Sequence, residues 1–117
     1  MEKIFLVLRA AKLWDVNAVS ASDPYAVIVD GNGKAVGHTE VEKDTLNPVF
    51  RPFIEVEYSF QVKQSFEVQL FNEGTNDSLG KAAFTLGQLM SARHSTLTLQ
   101  LNGYPGTVTV TGMQRGS

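Results

Sequence analysis

The chain has no cysteine, and its two histidines, His38 and His94, stand isolated from each other and from any serine or carboxylate at a catalytic spacing. A thiol nucleophile, a thiolate metal site and a disulfide frame are therefore excluded, and no Ser-His-Asp or paired-carboxylate arrangement can be argued. Gly31-Asn32-Gly33-Lys34 is too short, and lacks the following helix, to cradle a phosphate; it reads as a hairpin turn. What remains is oxygen carried on loops. Asp15, Asn17 and Asp23 fall in one loop-forming stretch, and Asn72, Glu73 and Asp77 in a second, Asn72 to Ser78 (NEGTNDS). Without any ligand such residues serve turns, caps and loop hydrogen bonds. The chemistry on offer is binding, and no enzymatic activity is expected.

The elements that must position these loops are short and alternating. Ile4, Leu6 and Leu8 interleave with Phe5, Val7 and Arg9 in a first strand within Glu2 to Leu13, and Trp14 to Ser22 follows as a long connection. Ala26 to Val29, the turn Asp30 to Gly33 and a second arm from Val36 to Glu42 form a central hairpin, with Pro24 at its start and Asn47-Pro48 at the corner beyond it. Phe53 to Tyr58, Phe66 to Leu70 and Leu79 to Leu86 are three further strands. Leu86, Leu89 and Met90 then recur at helical spacing, with Arg93 near the end, where a cation suits the helix dipole. Thr96 to Leu101 and Gly106 to Thr111 close the chain as a hairpin around Asn102-Gly103-Tyr104-Pro105. Eight short strands with at most one short helix describe an all-β, antiparallel β-sandwich.

Composition narrows the partners. The 117 residues suit one domain, taken as 1–113, with 114–117 as a tail; Arg115-Gly116-Ser117 looks like a cloning remnant before a purification tag. Ten basic residues against twelve acidic ones, with no block of either sign, give no basic stripe for nucleic acid. No apolar run approaches the ~20 residues needed to span a bilayer, and the first residues lack a signal-peptide pattern. With cysteine absent, a cytoplasmic location is expected.

Two motifs carry a family resemblance. Ser22-Asp23-Pro24-Tyr25, followed after a hairpin by Thr45-Leu46-Asn47-Pro48-Val49-Phe50, with Asp77-Ser78-Leu79-Gly80 downstream, resembles the paired signature of C2 domains. Thr39-Glu40-Val41, Phe84 to Leu89 and the final Gly106-Thr107-Val108 make copine C2 domains the most similar, over nearly the whole chain. A first strand leading directly into the aspartate-bearing loop resembles the circularly permuted, type II topology.

The resemblance implies a C2-like sandwich whose loops at one end hold calcium and dock on anionic phospholipid, with recruitment from cytoplasm to membranes. Calcium takes six to eight oxygens in flexible geometry, so carboxylates on facing loops suffice. Asp23 and Asp77 match two of the family's ligand positions. Asn17, Asn72 and Gly74 stand where aspartates are usual, the second loop is about three residues short of the common form, and Asp15 and Glu73 lie nearby as compensating oxygens. The implied metal set is thus Asp15, Asn17, Asp23, Asn72, Glu73 and Asp77, with calcium binding expected to be weak or absent because affinity falls with ligand charge. The family's basic groove for phosphoinositides is not expected, since its positions read Val27, His38 and Glu40, with Glu42 beside them. Trp14, Val16 and Val19 flank the first loop as candidate membrane contacts, an indole being suited to a lipid interface. Two readings stand. One is a peripheral membrane-docking module with weak or partial calcium dependence; the other is a calcium-independent protein-interaction module with a degenerate ion site.

Overall fold

Alternation settles which side chains point inward. Ile4, Leu6, Leu8 and Ala10 of the first strand are buried, while Lys3 and Arg9 face solvent. A computed structural model describes residues 2–16, 21–59 and 62–114. In it the strands are β1 (Glu2–Ala11), β2 (Pro24–Asp30), β3 (Ala35–His38), β4 (Ile54–Tyr58), β5 (Ser65–Asn72), β6 (Ser78–Thr85), β7 (Thr96–Gln100) and β8 (Thr107–Gln114). They form two four-stranded antiparallel sheets, β4-β1-β8-β7 and β3-β2-β5-β6. The inner faces of both sheets meet in one core, which includes Leu6, Leu8, Ile28, Phe50, Val68, Leu70, Val108 and Val110.

The element boundaries have local causes. β1 stops at Ala11, short of Leu13, because Lys12 takes a positive φ of 57° that breaks the extended run. The second hairpin arm pairs only to His38, not to Glu42. At Thr39 the side-chain Oγ1 accepts the Ala26 N–H (2.9 Å), so a hydroxyl enters the ladder and the strand leaves it. Thr85 caps the helix α1 (Leu86–Ser91) with a reciprocal Thr85–Gln88 box, while Leu86 and Leu89 face the core. α1 ends before Arg93, which opens a separate 3₁₀ turn, Arg93–Ser95, so this cation does not sit in the last turn of α1. β8 runs on to Gln114, which stands opposite Ile4, so the first and last strands lie side by side along their length.

Four connections gather at one end. Ala11 pairs with Thr107 and Pro24 with Asn72, so the β1–β2 connection (12–23), the β5–β6 loop (73–77) and the β7–β8 turn (101–106) emerge together. Backbone bonds from Leu13 N–H to the Leu46 carbonyl (3.1 Å) and from Glu42 N–H to the Pro24 carbonyl (2.9 Å) bring residues 43–47 to the same end. The Asn102 N–H reaches across to the Lys81 carbonyl of the other sheet (3.3 Å). Gly106, at φ +98°, lets the turn press against β1: a Cβ there would stand 2.6 Å from the Ala11 carbonyl oxygen.

Candidate functional site: the loop end of the sandwich

The two sequence motifs meet at this end, and each of their polar residues holds a neighbouring loop. Ser22 is buried; its Oγ donates to the Trp14 carbonyl (2.7 Å) and accepts from the Val16 N–H (3.2 Å), which pins the first connection. Asp23 Oδ1 accepts the Asp44 N–H (2.7 Å), and Asp44 Oδ1 in turn accepts the Ala21 N–H (2.7 Å). Asn47 Oδ1 accepts the Lys12 N–H (3.0 Å), and the Thr45 N–H donates to the Ser22 carbonyl (2.9 Å). The Tyr25 ring lies tilted against that of Phe71 at a centroid distance of 5.6 Å, joining the start of β2 to the end of β5.

Asn72 is the hub between the β1–β2 connection and the β5–β6 loop. It is fully buried at the end of β5; its Oδ1 accepts the Asp23 N–H (2.8 Å), and its Nδ2 donates to Thr75 Oγ1 (2.9 Å). The Glu73 N–H adds a backbone bond to the Asp23 carbonyl (2.9 Å), and the Asn72 N–H bonds the Asp77 carbonyl across the loop (2.9 Å). An aspartate at position 72 would lack the amide donor that Thr75 receives.

Of the six residues read as a metal set, Asp23, Asn72, Glu73 and Asp77 lie on the facing loops, Asp15 sits exposed on the first connection, and Asn17 falls outside the described residues. Among the described residues no group of three or more histidine, aspartate or glutamate side chains is close enough together to hold a metal ion. Glu73 Oε2 instead receives the Lys43 ammonium at 2.9 Å. This hydrogen bond and the glutamate's charge hold Lys43 above the usual lysine range, and Asp23 pushes weakly the same way. With Glu73 held by the Lys43 ammonium, the donor set does not fit a calcium ion.

The membrane-contact residues divide. Trp14 is 43% exposed and its ring lies 6.1 Å from that of Tyr104, itself 37% exposed on the β7–β8 turn. Val16 is partly buried against the core, and Val19 lies outside the described residues. Sequence reasoning missed Tyr104 and Lys43. An aromatic beside Gly103 and Pro105 is a signal that could have found the first; a lone lysine in a loop gives none. At the family's phosphoinositide positions Val27 and His38 do stand opposite each other on β2 and β3, so the groove's place carries a valine and a histidine. Glu42 is paired with Arg51 at 3.5 Å.

The sandwich, the strand order with β8 between β1 and β7, and the motif-bearing loops at one end define a C2 domain. The family model described as C2 domain matches residues 4–101, and the chain belongs to that family; β8 lies beyond the matched stretch. The chain is 31% identical over 105 residues to Copine-A of Dictyostelium discoideum, covering 85% of this chain and 18% of that protein. It is 28% identical over 102 residues to Copine-E of the same organism, covering 76% of this chain and again 18% of the relative. It thus spans under a fifth of the length of these relatives. Among solved structures, a single C2 domain of plant Extended Synaptotagmin 1 superposes with a TM-score of 0.77 at 20% identity, over 99% of this chain and 97% of that one. The calcium-bound pair of C2 domains of Extended-Synaptotagmin 2 gives 0.71 at 22% identity, over 94% of this chain and 41% of that one. These likenesses show the fold.

Proposed function

We propose that this C2 domain is a peripheral membrane-docking module that meets phospholipid with its loop end, calcium contributing little. The observation that carries the reading is the exposed Trp14–Tyr104 pair on the rim of that end. Indole and phenol rings combine an apolar body with a polar edge, which suits the headgroup boundary of a bilayer. No helix among the described residues is long and apolar enough to cross a membrane. Recruitment from the cytoplasm and a non-catalytic role belong to the same reading. The four connections carry five carboxylates (Asp15, Asp23, Asp44, Glu73, Asp77) against two lysines (Lys12, Lys43), so charge opposes an anionic bilayer and the aromatic pair must supply the attraction. Co-sedimentation with phosphatidylcholine vesicles, with and without phosphatidylserine, in calcium or in chelator, tests this. Binding should fall at least ~10-fold in the double variant W14S/Y104S and change little with calcium. Wild-type protein that stays in the supernatant under all four conditions sinks the membrane reading.

The same excess of carboxylates favours a second reading, in which the loop end receives a basic segment of a protein partner without calcium. That reading predicts no vesicle binding and a salt-sensitive complex.

A further inference from the structure

The family's calcium-holding loops and the residues found here disagree, and the disagreement has a specific form. Asp23, Asn72 and Glu73 each commit one side-chain oxygen to a donor of the protein itself. Asp23 Oδ1 takes the Asp44 N–H, Asn72 Oδ1 takes the Asp23 N–H, and Glu73 Oε2 takes the Lys43 ammonium. Two of these three donors are backbone amides fixed by the fold. The third carries a full positive charge, reaches from the 43–47 segment to the 73–77 loop, and lies within the field of Asp23.

We propose that Lys43 is a built-in counterion of the loop end: its ammonium joins the 43–47 segment to the 73–77 loop, as a bound cation would, and makes the domain indifferent to calcium. A metal ion that bridges loops supplies positive charge between carboxylates and a physical tie between chain segments; the Lys43–Glu73 contact supplies both. It also excludes the ion. A dication a few ångströms from an exposed ammonium loses on the order of 10-fold in affinity through repulsion alone, and the Glu73 oxygen that holds the lysine is no longer offered to an ion. The proposal deepens the docking reading of the same end, yet its test needs no lipid, so a failure of vesicle binding and a failure of this proposal are separate results.

The experiment is a set of thermal melts of the whole chain in millimolar calcium and in chelator, for wild type, Lys43→Met, Lys43→Gln and Lys43→Arg, with isothermal titration of calcium into each. A ligand that binds only the native state raises the melting temperature as its concentration exceeds the dissociation constant. Wild type and K43R should melt at the same temperature in both buffers. K43M and K43Q, which keep a side chain of comparable length but no charge, should gain a calcium-dependent rise and bind calcium on the order of 10-fold more tightly than wild type. Two charge-neutral variants guard against one that folds poorly. Melts of folded K43M or K43Q that calcium leaves unmoved would overturn the proposal. So would a wild-type rise as large as theirs.

Discussion

Buried polar side chains at the loop end behave as ties between segments distant in sequence, and Asn72 shows how much rests on one amide. Its oxygen and nitrogen bond two different loops, and its backbone N–H and carbonyl bond two more residues of the β5–β6 loop. Replacing it by alanine removes two part-buried bonds at once, those of the Asp23 N–H and of Thr75 Oγ1. Asn72→Ala should cost about 1–3 kcal/mol in urea denaturation, with calcium restoring none of it. A loss well below ~1 kcal/mol would mean that the two loops hold together without the hub. Position 72 also illustrates the reach of sequence reasoning. Its place in the loop-forming stretch was legible; that a neutral amide could both accept and donate there required the geometry of Asp23 and Thr75.

At the level of elements, all eight strands were legible, with ends misplaced by up to about four residues, because inward and outward side chains alternate without interruption in strands such as β1 and β5. The errors fall where a side chain or an unusual dihedral replaces the pattern. Lys12 ends β1 by its positive φ, and Thr39 ends β3 through its hydroxyl; neither leaves a mark on hydropathy. The turn between β7 and β8 depends on one close approach. Gly106→Ala forces a side chain into positive φ, which costs about 1–3 kcal/mol, and adds contacts with the Ala11 and Lys12 carbonyls. Gly74→Ala, in open space at φ +94°, meets only the first of these penalties. The melting temperature should therefore fall further for Gly106→Ala than for Gly74→Ala, and equal falls would show that the turn yields to the added methyl group.

For the molecule as a whole, no strand of one sheet is hydrogen-bonded to a strand of the other among the described residues, so the core between them is what makes one folding unit. Leu6, fully buried in β1, contributes to that core, and Leu6→Ala should destabilise by about 2–5 kcal/mol. The single tryptophan, Trp14, reports on the loop end, whereas circular dichroism reports on the sheets. Urea transitions followed by the two signals should coincide in wild type and shift together in the variant; separate midpoints would show that the loop end opens on its own. The family could be read from the paired motifs because their residues serve the fold directly: Ser22, Asp23, Thr45 and Asn47 all make bonds that shape the loop end. The candidate site was only half legible for the same reason, since residues that build a loop look in sequence like residues that bind an ion.

The side-by-side placement of β1 and β8 has a practical meaning for the module. With Ile4 opposite Gln114 and Ala11 opposite Thr107, the two strands' outer ends, residues 2 and 114, lie together at the pole remote from Trp14 and Tyr104. A reporter or tether joined at residue 2 or 114 would sit behind the sandwich and leave the loop end unobstructed.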